Sequence, residues 1–491
     1  MPSYVRHAVM AGVLMLAAAT FGFAQSSQTP APGSTASTGT SSTSKFGLDM
    51  TIGVQTYPNP DYPSSGSPTI AYQSIGLKPD LSFGKFGIGL DLTFNYTFTA
   101  GAANNQFQVR SQDWIPDSTT NFLELYLPKI RYVRWDHKGA PLYVLLGQVD
   151  NAVLGNGFIV GGYSNTQWLP ARRLFGMSFD LDGALFGFPY VGIETFASNL
   201  AALDLLGARL YVRPLAFLKM PILPGLQFGS SLVTDQNPFY FAQRDPNPLD
   251  PYSVLGTSPT AIPANPQVYI WGVDSRLPIL SSPIIDLALF GDFVKQKIAE
   301  GGMVGAGGKL AGFITYGAQI RFIGDNFIPD YFGSTYDLYR LQEYSVYTGT
   351  NYTGSPTASV TLPGYTGWLG TLGFSMLDDK LSLNVTMDGA FNADYSNPVS
   401  STFAYPHLHA EFLLKQGLLP GFGVAATYDK VGIQNFASLI SPENAVIGAR
   451  LDYKTGPAVI SLVYNLAYNQ YSTSGNPWTI TSRLETSISL F

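Results

Sequence analysis

The sequence predicts an all-β chain, folded as a single transmembrane antiparallel up-and-down β-barrel of about 20 strands, an even number between roughly 16 and 20. Three observations carry that prediction. First, charged residues make up 12% of the 491 residues and aromatics 14%; about 25% charge is usual for soluble domains. Second, beyond position 24 there is no apolar run of about 18 residues, so the mature chain offers no membrane-spanning helix. Third, apolar residues recur at every second position over long stretches. An apolar, aromatic, charge-poor chain without spanning helices places its grease on alternate positions of many strands.

Residues 1–24 read as a secretory signal peptide. Arg6 and His7 give the basic start, Ala8 to Ala19 the apolar stretch, and Gly22-Phe23-Ala24 a small-residue cleavage site before Gln25. The stretch is too short for a membrane anchor. Residues 25–45 are almost wholly Ser, Thr, Gly, Pro, Ala and Gln, a disordered linker with nothing to pack. The barrel is expected over 46–491.

The alternation begins at once. Phe46, Leu48, Met50, Ile52 and Val54 interleave with Gly47, Asp49, Thr51, Gly53 and Gln55. A period of two puts one set on each face of a strand. The clearest run is Phe86, Ile88, Leu90, Leu92, Phe94, Tyr96 and Phe98, opposite Gly87, Gly89, Asp91, Thr93, Asn95, Thr97 and Thr99. The pattern returns at Leu310, Ile314, Tyr316, Ala318, Ile320 and Phe322, at Leu381 to Asp388, at Ala458 to Tyr468, and in the last segment at Ile480, Leu484, Ile488 and Leu490.

Alternation also suits a soluble sandwich; the connections argue for the barrel. Candidate strands run from 46–56 to 478–491 and include 121–135, 284–296, 309–323, 326–340 and 365–377, with Tyr336 to Tyr347 also readable as a loop helix. Long connections (99–120, 151–172, 236–267, 341–364, 394–404, 432–444) alternate with short ones (84–85, 136–141, 183–187, 278–283, 324–325, 378–379, 454–457). Long loops on one rim and short turns on the other are the layout of outer-membrane barrels. In lipid every backbone N–H and C=O needs a partner, so the sheet must close.

The chain ends in an amphipathic strand whose last residue is Phe491. That terminus resembles the assembly signal of bacterial outer-membrane β-barrel proteins, and the span 46–491 resembles a porin-type barrel in layout. Phe491 departs from the usual signal in lying on the opposite parity from Leu484, Ile488 and Leu490. The resemblance implies an outer-membrane location, lipid around the barrel, and periplasmic chaperones and the barrel-assembly machinery as partners in its biogenesis. It implies a pore for passive diffusion or facilitated uptake of small polar solutes. The other readings are a non-conducting surface adhesin or structural barrel, a transporter of an apolar ligand, and a soluble secreted β-protein.

Charges opposite the apolar faces are expected in the lumen, where they bias ion selectivity or pair and hold the wall. These are Glu124, Arg209, Arg213, Arg321, Arg450 and Glu485, with Asp452 and Arg483 beside the last two. The loop Leu154 to Arg173 is too apolar for a solvated loop. It is expected either to fold inward and narrow the barrel, with Asp150, Arg172 and Arg173 as constriction charges, or to pack at the outer rim. His407, His409 and Glu411 share a strand face, a pattern open to metal binding or acid–base chemistry but more simply lumen lining. No metal or other cofactor is expected.

Cysteine is absent, which excludes disulfides, thiolate metal sites, a cysteine nucleophile and a lipid-anchored cysteine. A formal charge of −6 argues against nucleic acid as a partner. No Gly-x-Ser-x-Gly element stands at a strand-to-helix turn, and no enzymatic activity is expected.

Overall fold

The structure, a computed structural model, describes residues 45–59, 69–99, 106–117, 120–169, 172–244, 262–352, 360–391, 406–468 and 477–490. The expected signal peptide, nearly all of the linker and Phe491 lie outside them.

Twenty strand positions form one closed antiparallel sheet. In chain order they are β1 Lys45–Pro58, β2 Thr69–Phe83, and β3, which runs Phe86–Leu90 and resumes at Leu92–Thr99. Then come β4 Ile130–Trp135, β5 Leu142–Gly147, β6 Gly176–Asp182, β7 Val191–Ala197, β8 Leu205–Val212 and β9 Gln227–Asp235. Next are β10 Val268–Ser281, β11 Ile285–Gln296, β12 Ala299–Leu310, β13 Ile314–Ile323 and β14 Tyr365–Met376. The last six are β15 Leu381–Ala390, β16 His407–Leu419, β17 Phe422–Lys430, β18 Ala445–Thr455, β19 Ala458–Tyr468 and β20 Trp478–Ser489. Gln106–Val109 pairs with the far half of β3 and fills the position of β4 there. Closure is made by β1 against β20, from Asp49 opposite Ser489 to Gln55 opposite Arg483.

The alternation sorts as the sequence predicts. Phe46, Ile52 and Val54 of β1 are exposed outward, whereas Thr51 and Gln55 are buried inward. Phe94 and Phe98 face out of β3, and Asp91, Thr93 and Asn95 face in. Aromatic pairs gather at the two rims, with Phe422 against Tyr453 and Phe83 against Phe86 on one and Tyr468 against Trp478 on the other. Such girdles sit at the headgroup level of a membrane barrel.

The strand count agrees with expectation, but two assignments behind it are corrected. β12 was not expected: its sequence Ala-Glu-Gly-Gly-Met-Val-Gly-Ala-Gly-Gly-Lys-Leu is too rich in glycine to display an alternating face. The expected strand 326–340 is instead an irregular segment leading into a helix, Tyr336–Thr348, the alternative named for that region. The errors cancel in the count. The expected strand 121–135 begins as helix: Asn121 accepts from the Glu124 N–H, the Glu124 carboxylate accepts from the Asn121 N–H, and this reciprocal cap opens a helical turn before β4. Among the described residues the α-helices are α1 Phe122–Tyr126, α2 Tyr240–Arg244, α3 Tyr336–Thr348 and α4 Phe436–Ile440.

Long and short connections sort onto opposite rims with two departures. The turn between β11 and β12 is short on the long-loop rim, and the connection 213–226 between β8 and β9 is long on the short-turn rim.

Facing decides what a strand position tolerates. Leu462 lies outward near the middle of β19, and Asn465 lies on the lumen parity of the same strand. Leu462→Lys should destabilise the barrel by about 2–4 kcal/mol, the cost of a lipid-facing cation at the midplane. Asn465→Lys should change stability by less than about 1 kcal/mol, as water-facing substitutions do. Denaturant titration of the protein reconstituted in bilayers measures both, and equal losses would contradict the facing assigned here.

Candidate functional site

The lumen of this barrel is partly filled by its own long loops. Connection 148–175 dips inward and supplies two short strands, Ala152–Val153 and Val160–Tyr163, which form a separate three-stranded sheet with Phe332–Gly333 of connection 324–364. Phe158, Tyr163, Phe327, Tyr331, Phe332 and Tyr336 pack into one core with Phe196, Leu205, Val233, Ile270, Phe290, Val294, Met303 and Ile323. The second group belongs to the lumen-facing parity of β7 to β13. Where these residues lie the wall is apolar on both faces, toward lipid outside and toward the loops inside, while Glu194, Arg209, Asp274, Asp292 and Arg321 share its lumen parity. The sequence Val268-Tyr-Ile-Trp-Gly-Val273 at the start of β10 is such a doubly buried strand.

The loop tip is held by polar contacts deep in the barrel. The Gly155 N–H donates to Glu194 Oε2 at 2.9 Å, and Asn156 Nδ2 donates to Asp292 Oδ2 at 3.0 Å. Gly155 has φ +59°, and a Cβ there would lie 2.9 Å from Arg209 Nε. Only glycine combines that backbone with that proximity.

The helix α3 is fastened by one guanidinium. Arg340 donates through Nε to Asp235 Oδ2 at 2.6 Å and through Nη2 to Asp235 Oδ1 at 2.7 Å and Asp204 Oδ2 at 2.8 Å. Its Nη1 lies 3.7 Å from Asp337 Oδ1. Asp204 and Asp235 sit at the loop-side ends of β8 and β9, so Arg340 ties the helix to the wall. The Tyr336 hydroxyl donates to Asp235 and the Tyr163 hydroxyl to Asp337, and Arg340 stacks within 6 Å of the Tyr240, Phe241 and Tyr336 rings. Asp204, Asp235, Asp337 and Arg340 are all buried. One cation against three carboxyls leaves excess negative potential in a site shielded from water. Burial, reinforced by Asp204 and Asp235, pushes the Asp337 carboxyl up to about 7. Glu343, nearly two turns further along α3, is driven well above the ordinary carboxylate range, first by burial and then by Asp337. Its Oε2 and the Tyr331 hydroxyl have no hydrogen-bond partner among the described residues.

The expected lumen charges are placed as follows. Arg209 bonds Asp274 through two nitrogens and reaches Glu194 at 3.1 Å. Arg213 pairs with Asp182 at 2.7 Å near the short-turn rim. Arg321 joins Asp330 of the in-folded loop to Asp388 of β15, at 2.9 and 3.1 Å. Arg450 pairs with Asp452, and Glu485 with Lys78 across the β1 position. Arg173 pairs with Asp91 at 2.6 Å, tying the inner loop to β3. The Arg172 N–H donates to the Trp168 carbonyl at 2.9 Å. Asp150 accepts from the Ser164 and Thr166 hydroxyls at 3.0 and 2.8 Å, and burial with the charge of Glu411 raises its carboxyl. Glu124 is not on a strand: it caps α1 and accepts from the Tyr240 hydroxyl at 2.8 Å.

His409 Nδ1 lies 2.7 Å from Asp429 Oδ1, which also accepts from the Ser334 hydroxyl. His407 lies 3.4 Å from Asp388, and His409 Nε2 lies 3.4 Å from Glu411. Among the described residues no group of three or more such side chains is arranged to hold a metal ion. The histidines form lumen wall, each beside carboxylates that also hold the inner loops. Alternation gave no signal for Arg340, Asp204, Asp235 or Asp337, because they act between a loop helix and strand ends. The signal that could have pointed there is the start of β10, apolar on both faces.

Two outcomes follow from the Arg340 site. Arg340→Met strands the carboxyls it holds, and loss of one partner from a buried pair costs about 3–5 kcal/mol. Hydrogen exchange should show α3 and 324–335 opening while the sheet stays protected; unchanged protection of α3 would contradict the clamp. Asp337 has a folded pKa above its ordinary value, so the docked helix holds the proton more tightly than the released one. Docking strength is full below the ordinary carboxylate pKa and declines as pH rises through about 7. The free energy of local opening of α3, measured by exchange between pH 5 and 8, should fall with pH, and Asp337→Asn should flatten that slope.

Comparison with known proteins gives no matching family model and no matching curated sequence. Among solved structures the chain resembles OccAB3 of Acinetobacter baumannii at 11% identity and TM-score 0.32, over 91% of this chain and 99% of that one. It resembles the outer membrane protein OprD from Pseudomonas aeruginosa at 8% identity and TM-score 0.31, over 91% and 94%. It also resembles Wzi of Escherichia coli, described as a carbohydrate-binding β-barrel of the outer membrane, at 11% identity and TM-score 0.30, over 90% and 84%. These neighbours are outer-membrane β-barrels, and the barrel of this chain stands independently on its own closed ladder.

Proposed function

We propose that the chain is an outer-membrane pore that passes small polar solutes by diffusion or facilitated uptake. The observation that carries this reading is the split character of the lumen. The β7–β13 side is occupied by the inner loops, which pack on its apolar positions and bond to its Glu194, Asp292 and Arg321. The side from β16 through β20 to β3 keeps polar and charged residues on its lumen parity, including Glu411, Arg450, Asp452, Arg483, Glu485, Lys78 and Asp91. The loop residues turned toward that side are Asp150, which feels Glu411, and Arg173, which meets Asp91. A passage there has charges of both signs along its walls, an arrangement that favours hydrated, polar solutes over apolar ones. Arg173 with Asp91 and Asp150 with Glu411 are the constriction pairs. Arg209, Arg213, Arg321, Arg450 and Glu485 set the potential around them, and Arg172 adds to it beside Arg173. The partners are membrane lipid and small solutes, with chaperones and assembly machinery reading the last strand and Phe491 during biogenesis.

A second reading, a non-conducting structural or adhesive barrel, is favoured by the ties that cross the lumen. The inner loops bond not only to β7–β13 but also to Asp429 through Ser334 and to Asp91 through Arg173. Planar-bilayer recording separates the two. The pore reading expects stepwise conductance, and it expects Arg173→Ala, which uncovers the Asp91 charge, to shift the reversal potential in a salt gradient toward cation selectivity. Absence of any conductance, in the native protein and after release of the loops by Arg340→Met, would leave the structural barrel standing.

A further inference from the structure

The connections on the short-turn rim are not alike. Most are tight, as at 84–85, 420–421 and 456–457. Two neighbouring ones, 183–190 between β6 and β7 and 213–226 between β8 and β9, are longer and carry exposed apolar side chains: Leu185, Phe186, Phe188, Phe217 and Met220, with Phe186 72% and Phe217 62% exposed. Lys219 is exposed among them.

They lie in a sector of short strands, beneath β6 to β9. β5 has 6 residues, β6 and β7 have 7 each, β8 has 8 and β9 has 9, against 14 in β10 and 12 in β11. A tilted strand needs about 9–11 residues to cross the hydrocarbon layer. Over β5–β8 the sheet alone falls short of that height, and there 183–190 and 213–226 are greasy, whereas 136–141 before β5 is polar.

Part of the backbone of both connections is hydrogen-bonded within the rim itself. Residues 183–186 form a helical turn whose first N–H groups are met by the Asp182 side chain, which accepts from Ala184 N at 2.9 Å, and Gly187 and Phe188 donate back to Ala184 and Gly183. In 213–226, Ala216, Leu218, Gly225 and Leu226 donate within the loop, and Arg213 donates to the Tyr190 carbonyl of the neighbouring connection. Pro189, Pro214, Pro221 and Pro224 have no N–H to satisfy. The apolar side chains of both connections extend the lipid-facing belt of the same sector, and that continuity commits the surface to lipid rather than to a second copy.

We infer that connections 183–190 and 213–226 form an apolar foot that inserts into the phospholipid leaflet on the short-turn side, completing the lipid-facing belt where β5–β8 are too short. The foot continues the outward face of β8 and β9, where Leu210 and Phe228 are exposed, so belt and foot make one surface. Lys219 reaches from it to the phosphate level, as long cationic side chains do at interfaces. The occupant is phospholipid: acyl chains against Phe186, Phe217 and Met220, phosphate against Lys219.

The inference rests on the barrel spanning a membrane, and the test separates the two. Because the chain has no cysteine, single nitroxide labels can be placed at F186C, F217C, L232C and T455C in full-length protein reconstituted in phosphatidylethanolamine–phosphatidylglycerol vesicles. Leu232 is in the belt on β9, and Thr455 is exposed at a tight turn of the same rim. The ratio of oxygen to water-soluble nickel-chelate collisions should be severalfold higher at F186C and F217C than at T455C, approaching L232C. A belt label reading as aqueous would overturn the membrane barrel itself. A belt label in lipid with foot labels matching T455C would overturn the foot alone. Spin–spin broadening at the foot that grows with protein-to-lipid ratio would also overturn it, by assigning the surface to a second copy.

Discussion

An unpaired peptide group in hydrocarbon costs several kcal/mol, and the ladder between β1 and β20 is where this chain meets that constraint. Asp49 to Gln55 must find Arg483 to Ser489, more than four hundred residues away in sequence. Without that seam two edges would face lipid. With it, every strand has two neighbours, and the alternation of grease and polarity becomes a cylinder with a dry outside and a wet inside. The seam also explains why the first and last strands carry the same pattern as the rest: neither is an edge.

Closure creates a second problem, an interior wide enough to hold bulk water or a folded loop. The chain divides the interior between the two. On the β7–β13 side, many lumen-facing positions are apolar and meet an aromatic core supplied by two long connections. This core is sealed to the wall by a buried ion cluster rather than by more grease. Arg340 binds Asp235 and Asp204 with well-formed hydrogen bonds, and its more distant Nη1 faces Asp337. Buried pairs of this kind contribute position more than net stability. Their value here is register: α3 can be docked in one rotation only, the one that brings Tyr336 to Asp235 and sets Tyr163 against Asp337. The excess of carboxyls over cations at this seat makes the docking responsive to protons in a way that an apolar seal would not be.

Much of the wall was legible from residue spacing, because lipid on one side and water on the other force opposite demands on neighbouring side chains. Legibility failed where that contrast fails. In β12 five glycines leave no side chains to sort. The strand at the start of β10 was legible, but its inward apolar face was not, since there the in-folded loops replace lumen water. The segment Tyr336–Thr348 mixes tyrosines with charges and reads as neither period cleanly; its helix is fixed by what it docks on, not by its own pattern. The loop Leu154 to Arg173 was identifiable as too apolar for solvent. Its partners were not, because Gly155 to Glu194 and Arg173 to Asp91 are contacts between distant segments with no local signature. The same holds for Glu124, whose flanking leucines imitate a strand while Asn121 three residues earlier marks a helix cap.

The exceptions at the rims show that the governing quantity is local access to water rather than parity itself. Lys430 ends β17 on the outward parity, the side that should exclude charge, yet it is buried, as is its outward neighbour Tyr428. The connection 431–444 folds over that face. The Lys430 ammonium donates to the Ser441 and Glu443 carbonyls, and the Tyr428 hydroxyl donates to the Leu439 carbonyl at the end of α4. The cost of an outward cation falls from about 2–4 kcal/mol at the midplane to about 0–1 near the interface. At this rim a few backbone carbonyls therefore suffice to hold the charge, and the apolar cluster of Ala410, Tyr428 and Ala445 lies beneath the covering loop instead of facing lipid. A lysine in outward phase thus reports a loop that covers it, just as an apolar residue in inward phase reports a loop that fills the lumen.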